Sequence, residues 1–236
     1  TTNARFHLLA AGHGSPRLST AFDSLTLYGL DSDEPGAIAK VGEGGVAVDT
    51  IEDMERLYAG FDLERTSVSL TMNGPAPAIL AMYLAMARRR GSEWRKLRGT
   101  IQTDILKEVQ AQNESLFPLE PSLRLIAEMV AFTMREVPSW YPISISGYHM
   151  GEAGANAVQE LAFTLANAFT YVEVLRARGM ALDEAARRLS FFFTSGSELE
   201  FNVLGRVARR VWAVALRQAY GVEGPGLALR FHSQTS

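Results

Sequence analysis

The 236-residue chain contains no cysteine, which excludes a disulfide framework, a thiolate metal site and a cysteine nucleophile. It has no run near the ~18 apolar residues of a membrane helix. The start shows no basic-then-apolar leader, so a cytoplasmic protein is expected, with no membrane role. Basic residues are in slight deficit: 23 Lys and Arg against 26 Asp and Glu leave a net charge of −3. Without a basic stripe to offset a phosphate backbone, nucleic acid is not an expected partner. Linkers, repeats and low-complexity tracts are also missing, so residues 1–236 read as one domain. What is present is apolar matter: 47% of the residues are hydrophobic, enough for one large α/β core.

Strand-like runs recur at 18–23, 45–50, 67–73, 99–104, 143–150, 189–194 and 227–236. Helix-period segments fall between most of them, at 51–61, 76–90, 105–115, 122–135, 152–178 and 197–220. In the last, Phe201, Leu204, Ala208, Val211 and Ala215 are expected on the buried face. Alternating strands and helices predict an α/β fold, and its natural end point is the eight-stranded (β/α)8 barrel of TIM type. Only about seven β/α units are visible, so the barrel is expected to be truncated and the chain to be a piece of a longer one.

Barrel interiors of this size are normally packed with Val, Ile and Leu. Here one face of successive strands carries Ser67, Ser69 and Thr71, then Thr100, Gln102 and Asp104, then Ser144, Ser146 and Tyr148. If that face points inward, the barrel has an axial channel lined with short hydrogen-bonding groups. If it points outward, Val68, Leu70, Met72 and Ile101 fill the core. The inward reading is favoured, because packing helices over rows of serine wastes apolar burial. The alternation Ile143-Ser144-Ile145-Ser146 leads through Gly147 to Tyr148 and His149 at a strand-to-helix junction, where α/β enzymes place reacting groups. A lone histidine there could equally be a core residue satisfied by a carbonyl.

Several long motifs occur in order along the chain. They are Thr71-Met72-Asn73-Gly74, Gly99-Thr100-Ile101-Gln102-Thr103-Asp104, Ser144-Ile145-Ser146-Gly147-Tyr148-His149-Met150, Glu152-Ala153-Gly154-Ala155, Arg188-Leu189-Ser190-Phe191-Phe192 and His232-Ser233-Gln234-Thr235-Ser236. Together they resemble the substrate barrel of the adenosylcobalamin-dependent acyl-CoA mutases, the methylmalonyl-CoA mutase family, in its isobutyryl-CoA mutase large-subunit type. The resemblance implies a radical 1,2-rearrangement of an acyl-CoA thioester, with the pantetheine arm threading the barrel axis. By residue it assigns Ser69, Thr71, Thr100, Arg188 and Ser190 to coenzyme A, with Ser144 and Ser146 lining its path. His149 is implied to hold the thioester carbonyl, Tyr148 to pack against substrate and help expel the adenosyl group, and Gln102 to hold the acyl group. Glu152 and Gln234 are implied to face the adenosylcobalamin.

Gln112 stands where members acting on methylmalonyl-CoA carry arginine. A neutral amide disfavours a buried carboxylate, so an uncharged branched acyl group is expected. Ala21 agrees, since hydroxyacyl-specific relatives carry an acidic residue there. Thr103 stands where many members of that family have asparagine, and Gly151 where many have glutamine, which bears on fine positioning. No Asp-x-His-x-x-Gly motif is present, so the cobalt-ligating histidine is expected on a cobalamin-binding domain or small subunit, within an oligomer. The histidines are His7, His13, His149 and His232, and no metal site is expected among them. The alternatives are a methylmalonyl-CoA mutase proper and a non-catalytic acyl-CoA-binding fragment.

Overall fold

The structure, a computed structural model, describes residues 1–12 and 14–235. His13, and Ser236 at the end of the last expected strand, lie outside the described residues. In chain order the elements begin α1 (Thr2–Ala10), β1 (Arg17–Ala21), α2 (Ser24–Leu27), α3 (Ile51–Leu57), β2 (Ser67–Thr71), α4 (Ala76–Arg89), β3 (Arg98–Ile101), α5 (Ile105–Lys107) and α6 (Leu119–Glu136). They continue β4 (Trp140–Tyr141), β5 (Ile143–Ser146), α7 (Tyr148–Glu152), α8 (Ala157–Ala177), α9 (Leu182–Ala185), β6 (Leu189–Ser195), α10 (Leu199–Tyr220) and β7 (Phe231–Thr235). One sheet has the order β1-β2-β3-β4 and the other β5-β6-β7. The pairs β1–β2, β2–β3, β5–β6 and β6–β7 are parallel, as intervening helices require. No described helix is long and apolar enough to cross a membrane.

The contacts define two compact units. One comprises Thr1–Thr103, Glu114–Phe117 and Phe132–Trp140; the other comprises Asp104–Asn113, Pro118–Ala131 and Tyr141–Ser236. In the first, β2 alternates as its sequence suggests: Val68 and Leu70 are fully buried, Ser67 and Ser69 half-buried, and Thr71 exposed. Ile79, Tyr83 and Met86 of α4 are buried with Val68 and Leu70 in the core of this unit. Gly99 sits under Trp140, where a Cβ would come within 2.6 Å of the indole, so only glycine admits that ring. Thr50 and Asp53 close a capping box that starts α3.

In the second unit, Ile143 and Ile145 of β5 are fully buried beside Leu189, Phe191 and Phe193 of β6. Trp212 of α10 packs edge-on against Phe191 at 5.1 Å. That contact turns α10 so that Leu204, Ala208, Trp212 and Leu216 form its buried face. Val211, expected inside, is 40% exposed. The side chain offering the largest apolar area decides the face.

Several expected boundaries move for local reasons. Residues 45–50 are not a strand: one parallel bridge, Phe22 to Val46, is made, and the Val48 N–H donates to Thr26 Oγ1 instead of a ladder. The run 143–150 ends as a strand at Ser146, and Tyr148–Glu152 turns into α7. The helix expected over 152–178 is divided at Gly154 (φ +103°) and restarts at Asn156, whose side chain caps α8 in a box with Gln159. The helix expected over 105–115 is only α5 followed by a π turn over Glu108–Gln112, which stops at Asn113 in the left-handed region. A 3-10 turn at Gly224–Leu227 delays the last strand to Phe231.

Candidate functional site

In the first unit, Ser69 and Thr100 are register partners on β2 and β3, and Thr100 Oγ1 donates to Ser69 Oγ at 2.9 Å. Thr71 ends β2, exposed. Gln102 follows β3 and is 7% exposed; its backbone N–H continues the ladder to the Leu70 carbonyl. Asn73 Nδ2 donates to Gln102 Oε1 at 3.0 Å, which turns the other end of that amide, a donor, away from Asn73. Asn73 lies in one of the quoted motifs but carried no expected role. Thr103 takes φ +52°, a strained conformation for a β-branched residue, with its hydroxyl buried and without a hydrogen-bond partner among the described residues. Asparagine enters that region more easily than threonine.

The second unit is organised by Asp104, which its sequence pattern marks only as part of a polar strand face. It is fully buried. Its carboxylate accepts from the Ser146 N–H at 2.7 Å and the Tyr171 hydroxyl at 2.6 Å, and caps α5 by accepting from the Lys107 N–H at 3.4 Å. Tyr171 in turn accepts from the Leu106 N–H at 3.0 Å. Burial, the largest influence, raises the Asp104 pKa above the ordinary carboxylate value despite these bonds. No periodicity announces such a hub: its partners lie 42 and 67 residues away.

Beyond Asp104, Lys107 and Glu108 form a fully buried ion pair at 2.5 Å. Lys107 Nζ also donates to Gln112 Oε1. The half-buried Gln112 side chain is thus oriented by a lysine whose charge Glu108 already balances. This cluster sits in the π turn, an irregularity often found at functional positions.

Tyr148 and His149 begin α7, both half-buried. Gly147 and Gly151, one turn apart, let α7 lie directly on α8: a Cβ at 147 would meet Thr164 Oγ1 at 2.4 Å, and one at 151 would meet Glu160 Oε2 at 2.9 Å. Glu160, fully buried, ties the end of β6 by accepting from the Thr194 N–H at 2.8 Å. His149 Nδ1 lies 2.6 Å from the Ser146 hydroxyl. Ser146, expected on the coenzyme A path beside Ser144, is instead fully buried against this ring. Burial and, second, the Lys107 charge depress the His149 pKa to about 3, so the imidazole is neutral at physiological pH. Phe192 completes an aromatic group, 5.2 Å from Tyr148, 6.0 Å from His149 and 5.2 Å from His232. Phe192, like Asn73 and Asp104, lies in a quoted motif without an expected role.

Ser190 pairs in register with Ser144, and its hydroxyl donates to the Ile143 carbonyl at 2.9 Å. Arg188 is half-buried while Arg187 is exposed, and desolvation lowers the Arg188 pKa. Glu152 is exposed at the end of α7, and burial followed by its negative charge raises the Tyr148 pKa. Gln234 is half-buried on β7, opposite Thr194 of β6. The unit therefore gathers Tyr148, His149, Phe192 and Ser146 into one cluster. Ser190 lies two residues back along the strands, about 7 Å by strand rise. The cluster offers a neutral imidazole, a phenol and a serine hydroxyl. Among the described residues, no group of three or more His, Asp or Glu is placed to hold a metal ion.

A model of the methylmalonyl-CoA mutase family matches residues 1–236. A fused isobutyryl-CoA mutase of Nocardia farcinica is 50% identical over all of this chain and 24% of its own length. The 2-hydroxyisobutanoyl-CoA mutase large subunit of Aquincola tertiaricarbonis is 46% identical over all of this chain and 42% of its own. A methylmalonyl-CoA mutase of Escherichia coli is 47% identical over 97% of this chain and 32% of its own. The chain thus spans between about a quarter and two fifths of these curated relatives. With the whole-length match and the motif residues seated at strand ends and on α7, the chain belongs to the methylmalonyl-CoA mutase family.

Proposed function

We propose that this chain carries the substrate barrel of an adenosylcobalamin-dependent acyl-CoA mutase that interconverts isobutyryl-CoA and n-butyryl-CoA. The observation that carries the substrate choice is the Gln112 cluster. Its buried cation, Lys107, is already neutralised by Glu108 at 2.5 Å and engaged with the Gln112 amide oxygen. A substrate carboxylate there would meet a committed lysine and a neutral amide, and would keep its desolvation cost. A penalty of about 3 kcal/mol corresponds to roughly 100-fold discrimination against methylmalonyl-CoA.

The neutral His149 donates a hydrogen bond to the thioester carbonyl and so favours the charge redistribution on that oxygen during migration. Tyr148 and Phe192 shield the reacting carbons from water. Gln102, its oxygen held by Asn73, offers its amide N–H groups to the acyl portion. Ser69, Thr71, Thr100, Arg188 and Ser190 bind coenzyme A. Glu152 and Gln234 supply hydrogen-bonding groups suited to ribose hydroxyls and corrin amides, so these residues fit the organic periphery of adenosylcobalamin. When bound, that cofactor supplies the homolytic cobalt–carbon chemistry. The histidine that would ligate cobalt is assigned to a cobalamin-binding domain or subunit, since this sequence carries no Asp-x-His-x-x-Gly motif.

The test is a substrate panel on the complete enzyme loaded with adenosylcobalamin. Isobutyryl-CoA or n-butyryl-CoA is expected to turn over at least tenfold faster than methylmalonyl-CoA. The reverse preference would overturn the substrate assignment. Acyl-CoA binding without any turnover would replace the mutase reading with a binding role.

A further inference from the structure

We infer that Ser146 is a positioning residue that sets the tautomer of His149, donating its hydroxyl proton to Nδ1 so that the ring proton resides on Nε2. The inference about catalytic consequence rests on the proposed mutase reading; the tautomer itself does not. Ser146 Oγ and His149 Nδ1 are 2.6 Å apart, and Ser146 is fully buried. Among the described residues the Ser146 hydroxyl has no second partner. Two proton placements are then possible. If Nδ1–H donated to Oγ, the serine hydroxyl proton would be buried with no acceptor, and a buried donor without a partner is strongly disfavoured. If the hydroxyl donates to Nδ1, both atoms are satisfied and Nε2 must carry the ring proton.

The doubly protonated ring is not a third option. Burial and the Lys107 charge hold the imidazole pKa near about 3, and the other neighbours, Tyr148 and Phe192, bring no negative charge onto the ring. Ser146 is also unable to drift. Its N–H is anchored at 2.7 Å on the Asp104 carboxylate, which the Tyr171 hydroxyl holds from α8. Gly147, with no Cβ, lets the start of α7 lie against α8, and the first turn of α7 carries His149 back to the serine three residues earlier. The result is a chain of fixed contacts from Asp104 through Ser146 to His149. It leaves Nε2–H as the one donor the ring can present to a substrate carbonyl.

The experiment uses the complete enzyme with histidine labelled by ¹⁵N, its His149 signals assigned by loss in His149→Gln. The expected spectrum has a protonated Nε2 and an unprotonated Nδ1 at pH 7. Ser146→Ala is expected to mix the tautomers and to lower kcat for the acyl-CoA substrate about 10- to 100-fold with KM little changed. Ser146→Cys, a near-isosteric weak donor, is expected to fall between. A wild-type ring protonated on Nδ1 overturns the inference, as does Ser146→Ala with tautomer and kcat unchanged. If Ser146→Ala does not fold, the wild-type spectrum decides alone. If the wild-type enzyme has no mutase activity, the functional reading falls while the spectrum still decides the tautomer.

Discussion

Replacing Asp104 is the most demanding test of how this chain holds its histidine. The buried carboxylate accepts, among others, from the Ser146 N–H at 2.7 Å, the Tyr171 hydroxyl at 2.6 Å and, more weakly, the Lys107 N–H at 3.4 Å. Asp104→Ala orphans the first two in the interior, at about 1–3 kcal/mol each. Part of that loss is offset, because burial already raises the Asp104 pKa and ionising it at neutral pH has an unfavourable desolvation component. The net expectation is a loss of about 2–4 kcal/mol. Asp104→Asn keeps an oxygen for the Ser146 N–H but sets an amide NH2 group against the Tyr171 hydroxyl, which already accepts from Leu106. It is expected to lose only about 1–2 kcal/mol. At ~2–4 °C per kcal/mol for a domain of this size, the two variants separate by several degrees in melting temperature. Circular dichroism melts of the complete protein read this directly. An alanine variant within about 1 kcal/mol of wild type would refute the hub. An asparagine variant less stable than the alanine one would show that charge, rather than acceptor geometry, is what Asp104 contributes.

Two further outcomes are expected. The His149 pKa is depressed from 6.5 to about 3 on folding, so between those values the unfolded chain binds more protons than the folded one. The associated stability is fully present above pH 6.5 and is lost as pH falls toward 3, by ~2 kcal/mol between pH 7.5 and pH 5. Denaturant unfolding of wild type and His149→Gln at both pH values isolates it from the buried carboxylates, and equal slopes for the two proteins would exclude it. Gly147→Ala forces a Cβ to 2.4 Å from Thr164 Oγ1 and 2.8 Å from Glu160 Cγ, and is expected to destabilise by about 1–3 kcal/mol and to lower activity. Adding Thr164→Ala should restore part of the melting temperature, and a single variant melting with wild type would remove the close approach of α7 to α8 from the account.

The sequence by itself determined whatever is carried by local pattern. Alternation in Ile143-Ser144-Ile145-Ser146 placed β5 with its isoleucines buried, and Thr50 with Asp53 and Asn156 with Gln159 mark helix starts by capping chemistry that acts over three residues. The family was legible too, because its motifs run in order across the whole length. Tertiary structure decided what depends on distant partners. The buried face of α10 follows Trp212, whose docking on Phe191 no helical period encodes. The helix expected over 105–115 yields to a π turn between two residues of positive φ, Thr103 and Asn113, where Lys107 and Glu108 are buried as a pair. By sequence, Ser146 and Asp104 are two more polar side chains on strand faces. Folding made one the anchor of the other, and of His149, because a buried N–H, a buried hydroxyl and an imidazole nitrogen must each find a partner within about 3 Å, and sequence spacing does not say which will be near.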